Sequence, residues 1–243
     1  RKILKYFSLL FENKIKKKNF KLNINVKDEL IKNFSEELKK KDFLFIENFL
    51  SDTSYQYLLE SWPDINHFKH LKKVTKHYNA GFIYDHKTSL LKDTFNEYPQ
   101  ELPLRHFYKF LLGDKFKNFH NKVFRSESKN YTVVGIQSTM ATNDSYLIPH
   151  YDSTAHDNKI KKSYNFIYFI DGYDGDLNTS GATGIYQDNE FRMPIFIPNN
   201  IKNSVLIYNT KSTDHYHGFK NIKCPRSVYR KTINFHSVIF KEN

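Results

Sequence analysis

Two short stretches carry the residues best suited to chemistry: Pro149-His150-Tyr151-Asp152 and, further along, Asp214-His215-Tyr216-His217-Gly218. In an extended chain, residues two apart point to the same face, so the imidazole of His150 and the carboxylate of Asp152 can meet at one point. A second histidine arriving on a distant strand completes a set of two imidazoles and one carboxylate. Arranged on one face with the other positions open, that set suits ferrous non-haem iron and oxygen chemistry. The spacing leaves two candidates for the third ligand, because His215 and His217 share a strand face. His-x-Asp is a short pattern, and a chain with 11 histidines also produces it by chance. Its weight therefore comes from the elements that must position it.

Those elements change character midway. In residues 28–40, Leu30, Ile31, Phe34 and Leu38 recur at helical spacing. Residues 43–46 read as a buried strand, and Ser51 or Asp52 can cap a helix running through Leu59, with Pro63 closing that region. Residues 64–103 read as polar and irregular, punctuated by Pro99 and Pro103. Residues 104–124 are helical again, with Phe107, Phe110, Leu111, Phe116, Phe119 and Val123 as a core face and Gly113 as a break. From Tyr131 onward the pattern is β-branched and aromatic: 131–141, 146–152, 163–170, 182–187, 193–198, 204–209, 214–219 and 230–240 each read as a strand. Eight short strands in succession imply a sandwich or barrel. The expected fold is mainly β with flanking α, a jelly-roll core over 131–240 with the helical region 1–130 packed outside it as one domain over 1–243.

Composition sets outer limits. With 22 Phe and 17 Tyr among 243 residues, a sizeable core can be filled, and only 8 Gly and 7 Pro argue against disorder. The formal charge of +12 fits an anionic partner, nucleic acid or an acidic surface or small molecule, but it also fits a Lys-, Asn- and Ile-rich composition with no such role. The lysines are spread along the chain and no nucleic-acid module is recognisable, so no nucleic-acid partner is expected. A single Cys224 excludes an internal disulfide and fits a reducing, cytoplasmic setting. No run of 18 apolar residues is present, so no transmembrane segment is expected. The basic, apolar first 20 residues read as a surface helix, with contact to an anionic membrane as the alternative.

The C-terminal half resembles the Fe(II)- and 2-oxoglutarate-dependent oxygenases, in particular their prolyl-4-hydroxylase-like branch. The resemblance lies in the order of features: PHYD; KKSYNFIYFID; SGATGIY; FIPNNIKNSVLIYNT; DHYHGF; and CPRSVYRKTINFH. It covers roughly residues 131–240 and implies a double-stranded β-helix. It assigns His150 and Asp152 to the first ligand pair and His217, followed by Gly218, to the distal ligand, in preference to His215. It assigns Arg230 to the far carboxylate of 2-oxoglutarate with Thr232 beside it, and leaves Arg226 as the runner-up. A planar guanidinium fits a carboxylate with two parallel hydrogen bonds, and a hydroxyl adds a third. Tyr146, Gln137, Asn165 and Tyr168 are further candidates to reach the cosubstrate or substrate, with packing roles as the alternative. His156, with an ordinary role as the first expectation, could stand near the mouth of the site; His215 and His236 are expected to be ordinary. The chain departs from the family in having Ser180-Gly181 for Gly-Gly, and Asn234-Phe235-His236 where a more apolar run is usual.

The resemblance implies the following activity. Fe(II), 2-oxoglutarate and dioxygen, with ascorbate as a reductant, hydroxylate an unactivated C–H bond of a small molecule or of a protein or peptide side chain, releasing succinate and carbon dioxide. Related halogenases have Ala or Gly at the position of Asp152, so a carboxylate there favours hydroxylation. Two other classes share such a β core. A cupin-type metal dioxygenase or isomerase would not need the Arg230 and Thr232 clamp, and a non-catalytic jelly-roll binding module would tolerate loss of His150 or Asp152.

Overall fold

The computed structural model describes residues 20–70, 78–79, 81–83, 102–125, 131–152, 160–173, 176, 179–210, 212 and 215–241. The basic N-terminal stretch and His156 lie outside the described residues. Helix α1, Asp28–Lys41, buries Ile31 and Leu38, carries Asp28 and Glu29 in its first turn, and Lys39, Lys40 and Lys41 in its last. Each charge faces the helix end of opposite polarity. Asp42 stops the helix in the left-handed conformation, its N–H donating to the Leu38 carbonyl at 2.9 Å. Strand β1 is Phe43–Ile46 and helix α2 is Asp52–Glu60. The helical run expected over 104–124 is two helices, α3 (Leu102–Leu112) and α4 (Asp114–Phe124), divided at the extended Gly113.

The stretch read as irregular, residues 64–103, contributes three two-residue strands, too short to show a period: β2 (Lys69–His70), β3 (Tyr78–Asn79) and β4 (Phe82–Ile83). Eight strands follow: β5 (Tyr131–Ala141), β6 (Tyr146–His150), β7 (Ile160–Asp171), β8 (Gly184–Tyr186), β9 (Pro194–Phe196), β10 (Ser204–Asn209), β11 (Tyr216–Phe219) and β12 (Arg230–Phe240). They form two antiparallel sheets. The larger runs β1-β10-β7-β12-β5-β4-β2 and the smaller β3-β6-β11-β8-β9. This is a jelly-roll, flanked by helices on one side, with β1 recruited from the N-terminal half to the edge of the larger sheet.

Alternation along the larger sheet gives it two different faces. Ile233 and Phe235 of β12, Phe166 and Tyr168 of β7 and Val205 and Ile207 of β10 join Phe107, Phe116 and Phe119 of the helices in the main core. Phe235 stacks on Phe166 at 4.6 Å between centroids and meets Phe107 and Phe116 edge-on. The opposite face carries Arg230, Thr232 and Asn234 of β12, with Thr139 and Gln137 of β5 and Asn165 of β7 beside them in register. On the face that looks toward the smaller sheet, these polar residues of β12, β5 and β7 thus lie beside a second apolar cluster that includes Ile167, Phe169 and Leu206.

Two stability predictions follow from this packing. Phe235→Ala should cost about 3–5 kcal/mol, the usual range for a large core aromatic, read from the urea midpoint. His120 of α4 is fully buried against Ser237, Nε2 to Oγ 2.5 Å, and burial pushes its imidazole down from 6.5 to about 3. Below pH 6.5 the unfolded chain takes up a proton that the folded chain refuses, so stability is full above that pH and falls toward about pH 3. The urea midpoint should drop between pH 7.5 and pH 5, and drop less in His120→Gln.

Candidate metal centre

Strands β6 and β11 of the smaller sheet bring the two histidines together. His217 pairs directly with His150, and their rings lie 4.3 Å apart. Phe219 pairs with Leu147, so Ile148 and Pro149 of β6 oppose Gly218 alone, and this bulge keeps Leu147 and His150 on one face. Gly218 permits the close approach. A Cβ there would come within 2.4 Å of the Leu147 carbonyl oxygen and 2.8 Å of the Pro149 nitrogen. The Gly that follows the distal histidine in the sequence therefore has a steric reason.

Asp152 lies just past the end of β6. Its Oδ1 is 3.8 Å from His150 Nε2 and 3.6 Å from His217 Nε2, and the donor atoms of all three residues lie within 4.8 Å of one another. Its other oxygen, Oδ2, accepts from the Tyr208 hydroxyl at 3.0 Å and from Asn165 Nδ2 at 3.1 Å. Asn165 and Tyr208 are register partners on β7 and β10. One carboxylate oxygen is thus occupied by the larger sheet, and the other is turned to the imidazoles. His150 Nδ1 lies 3.0 Å from the Ile148 carbonyl, which fixes its ring with Nε2 toward Asp152.

The charge states suit a cation. Burial pushes the Asp152 carboxyl up, but His217, His236, His150 and the Tyr208 hydroxyl outweigh it, and the group lies below its usual value. Burial pushes His217 down to about 4, so at neutral pH its ring nitrogen keeps its lone pair. The donor set of two imidazoles and one ionised carboxylate oxygen fits a divalent transition metal.

Arg230, at the start of β12, is 4% exposed. Its guanidinium carbon lies 4.6 Å from the Phe219 ring centre and 5.3 Å from that of Phe169, and Nη2 donates to Thr183 Oγ1 at 2.8 Å. Nε has no partner, and no carboxylate pairs with the group among the described residues. Burial lowers it to about 9, so it stays charged at neutral pH. Gly181, at φ +82°, leaves the space its side chain passes through; a Cβ would meet Arg230 Cδ at 2.9 Å. Phe219 and Thr183 tie the guanidinium to the metal strands, since Phe219 follows His217 by two residues and Ile185, two beyond Thr183, pairs with His217.

The other residues singled out by sequence separate clearly. Thr232 is fully buried on the face of Arg230, its hydroxyl 2.6 Å from that of Thr139. Asn165 joins the site through Asp152. Gln137 is opposite Asn234 on the polar face. Tyr146 opens β6 and is half-buried. Tyr168 points to the helices, its hydroxyl donating to Asn203 Oδ1 at 3.0 Å. Arg226 is exposed, and His215 stands edge-on to Phe43 rather than at the metal ligands. Tyr208 and Thr183 escaped sequence reasoning. Each sits in an ordinary strand-like run, and only three-dimensional register reveals its partner.

No family model and no curated protein matches the sequence. Solved structures do match in three dimensions. A prolyl hydroxylase from Trichoplax adhaerens, bound to a hypoxia-inducible-factor peptide, superposes with a TM-score of 0.55 at 13% identity over 89% of this chain and 94% of its own. A prolyl-4-hydroxylase from Pseudomonas putida gives 0.56 at 7% identity over 88% and 100%. HygX from Streptomyces hygroscopicus, with nickel, 2-oxoglutarate and hygromycin B bound, gives 0.56 at 11% identity over 88% of each chain.

The hydrogen bonds on Oδ2 are testable. Tyr208→Phe removes one of two donors without touching a ligand atom. Metal affinity should fall about 10- to 100-fold, the usual cost of losing a group that orients a ligand, in a competitive Co(II) titration with unchanged circular dichroism. Unchanged affinity would show that Asn165 alone orients Asp152. The fold is that of the 2-oxoglutarate- and Fe(II)-dependent oxygenases, a double-stranded β-helix.

Proposed function

We propose that the chain is an Fe(II)- and 2-oxoglutarate-dependent dioxygenase that hydroxylates an unactivated C–H bond of a small molecule or of a peptide side chain. The observation that carries this reading is Arg230, a buried cation with no carboxylate partner among the described residues, packed against Phe219 on the strand of the facing sheet that also carries His217 of the His-Asp-His group. A bare metal site would fit a cupin-type dioxygenase or isomerase equally well. A buried guanidinium that still lacks an anion argues for a cosubstrate that carries one.

In this reading His150, Asp152 and His217 hold ferrous iron, and Asn165 and Tyr208 keep Asp152 turned so that Oδ1 is the ligand atom. Bound iron supplies the oxidising chemistry that couples decarboxylation of 2-oxoglutarate, to succinate and carbon dioxide, to hydroxylation of substrate. Arg230 receives the far carboxylate of 2-oxoglutarate. Phe169 and Phe219 hold the guanidinium, and Thr183 takes one N–H, leaving the others for the ligand. Thr232 lies on the same face of β12 to add a hydroxyl. The apolar rings exclude water and strengthen the pairing.

The test is titration of 2-oxoglutarate into the anaerobic Fe(II) protein, followed by its metal-to-ligand absorption band. Charge-assisted bonds contribute about 1.5–3 kcal/mol each, so Arg230→Ala should weaken binding by about 10-fold to more than 100-fold while iron binding stays nearly unchanged. Arg230→Lys should recover only part, because an ammonium offers no parallel fork. Arg226→Ala should leave the affinity unchanged. If Arg230→Ala binds 2-oxoglutarate as well as the parent protein, the cupin-type reading is preferred.

A further inference from the structure

A cavity of about 310 Å³ lies on the helix side of the larger sheet, where the ends of α1 and α4 meet the start of β7. Lys39, Arg125, Lys161 and Lys162 converge on it. Among the described residues none of the four has a carboxylate partner; Lys162 makes one contact, 3.5 Å to the Phe124 carbonyl. The group is mutually repulsive. Lys162 is lowered by burial and then by Lys161, Arg125 and Lys39.

Neighbouring negative charge does not account for four cations. Asp42 is the one carboxylate lining the cavity, with Asn209 Nδ2 donating to its Oδ1 at 3.2 Å. The two helix C-termini add about half a negative charge each, which leaves about two positive charges uncompensated. Below the cations the wall is aromatic: Phe124 and Tyr164 are both buried and lie 4.2 Å apart between ring centres. A concave, cationic cleft over aromatic side chains is the shape of a small-molecule site.

We propose that this cleft binds a phosphorylated small molecule, with its phosphate between Lys39, Arg125, Lys161 and Lys162 and its body against Phe124 and Tyr164. Arginine and lysine together suit phosphate, one as a planar fork and the other as a point charge. The cavity lies on the reverse face of β7 and β10 from Asp152, so its occupancy is independent of the oxygenase reading.

Inorganic pyrophosphate is the probe, titrated calorimetrically into the full chain at ionic strength held constant with chloride. Saturable one-to-one binding is expected. The Lys161→Ala/Lys162→Ala double variant should weaken it tenfold or more, and Arg125→Ala should weaken it independently of any effect of the double change on folding. Lys69→Ala, in β2 at the opposite edge of the same sheet, serves as the control for net charge and should change nothing. Non-saturable binding, or equal losses in Lys69→Ala, would reduce the effect to overall charge and overturn the site. Binding that survives the double variant but vanishes in Arg230→Ala would place the anion in the metal centre instead. Binding of a short single-stranded oligothymidylate without binding of pyrophosphate would assign the surface to nucleic acid and overturn the small-molecule site.

Discussion

Everything at the candidate metal centre depends on one carboxylate being used at both ends. Asp152 gives Oδ2 to the Tyr208 hydroxyl and the Asn165 amide, and presents Oδ1 to His150 and His217. The first pair belongs to the larger sheet and the second to the smaller. The carboxylate is therefore a joint between the sheets as well as a candidate ligand. Two neutral donors leave its charge uncancelled, and a buried charge is costly without a counter-ion. A divalent cation held by Asp152, His150 and His217 would supply the missing counter-charge.

The precision of that joint comes from the reverse side of the sheet. Tyr208 and Asn165 alternate with Ile207 and Phe166, which sit in the aromatic core under the helices. Their backbones are held by β1 on one flank and by β12 on the other. Strand alternation converts a packing constraint on one face into a positional constraint on the other. The helices thus position the chemistry without contributing a ligand.

What the sequence revealed and what it hid follow from the range of the interactions. The pair His150 and Asp152 and the following Gly218 were legible because local geometry constrains them: a two-residue step, and a site where any side chain would strike Pro149 and Leu147. The long strands and the Gly113 break were legible from period and backbone freedom. Tyr208 and Thr183 were hidden because they act through register with β7 and through the path of Arg230, which no spacing encodes. The gathering of Lys39, Arg125, Lys161 and Lys162 was equally invisible, since they come from three separate elements and read as a dispersed charge.

Arg230 shows how a fold can hold a group that weakens it. Withdrawing a guanidinium from water costs several kcal/mol. Two aromatic faces and one hydrogen bond to Thr183 offset that cost, but Nε stays unpaired. A hydrophobic residue of similar volume would pack there without that cost. The surrounding sequence accommodates the arginine instead: Gly181 vacates the path of its side chain, and Phe169 and Phe219 flank its plane. A ligand that binds only the folded chain adds its binding free energy to stability. With a divalent cation held by the His-Asp-His group, a dianion reaching from that cation to Arg230 would pair with two positive charges at once, which would couple cosubstrate binding to local stability.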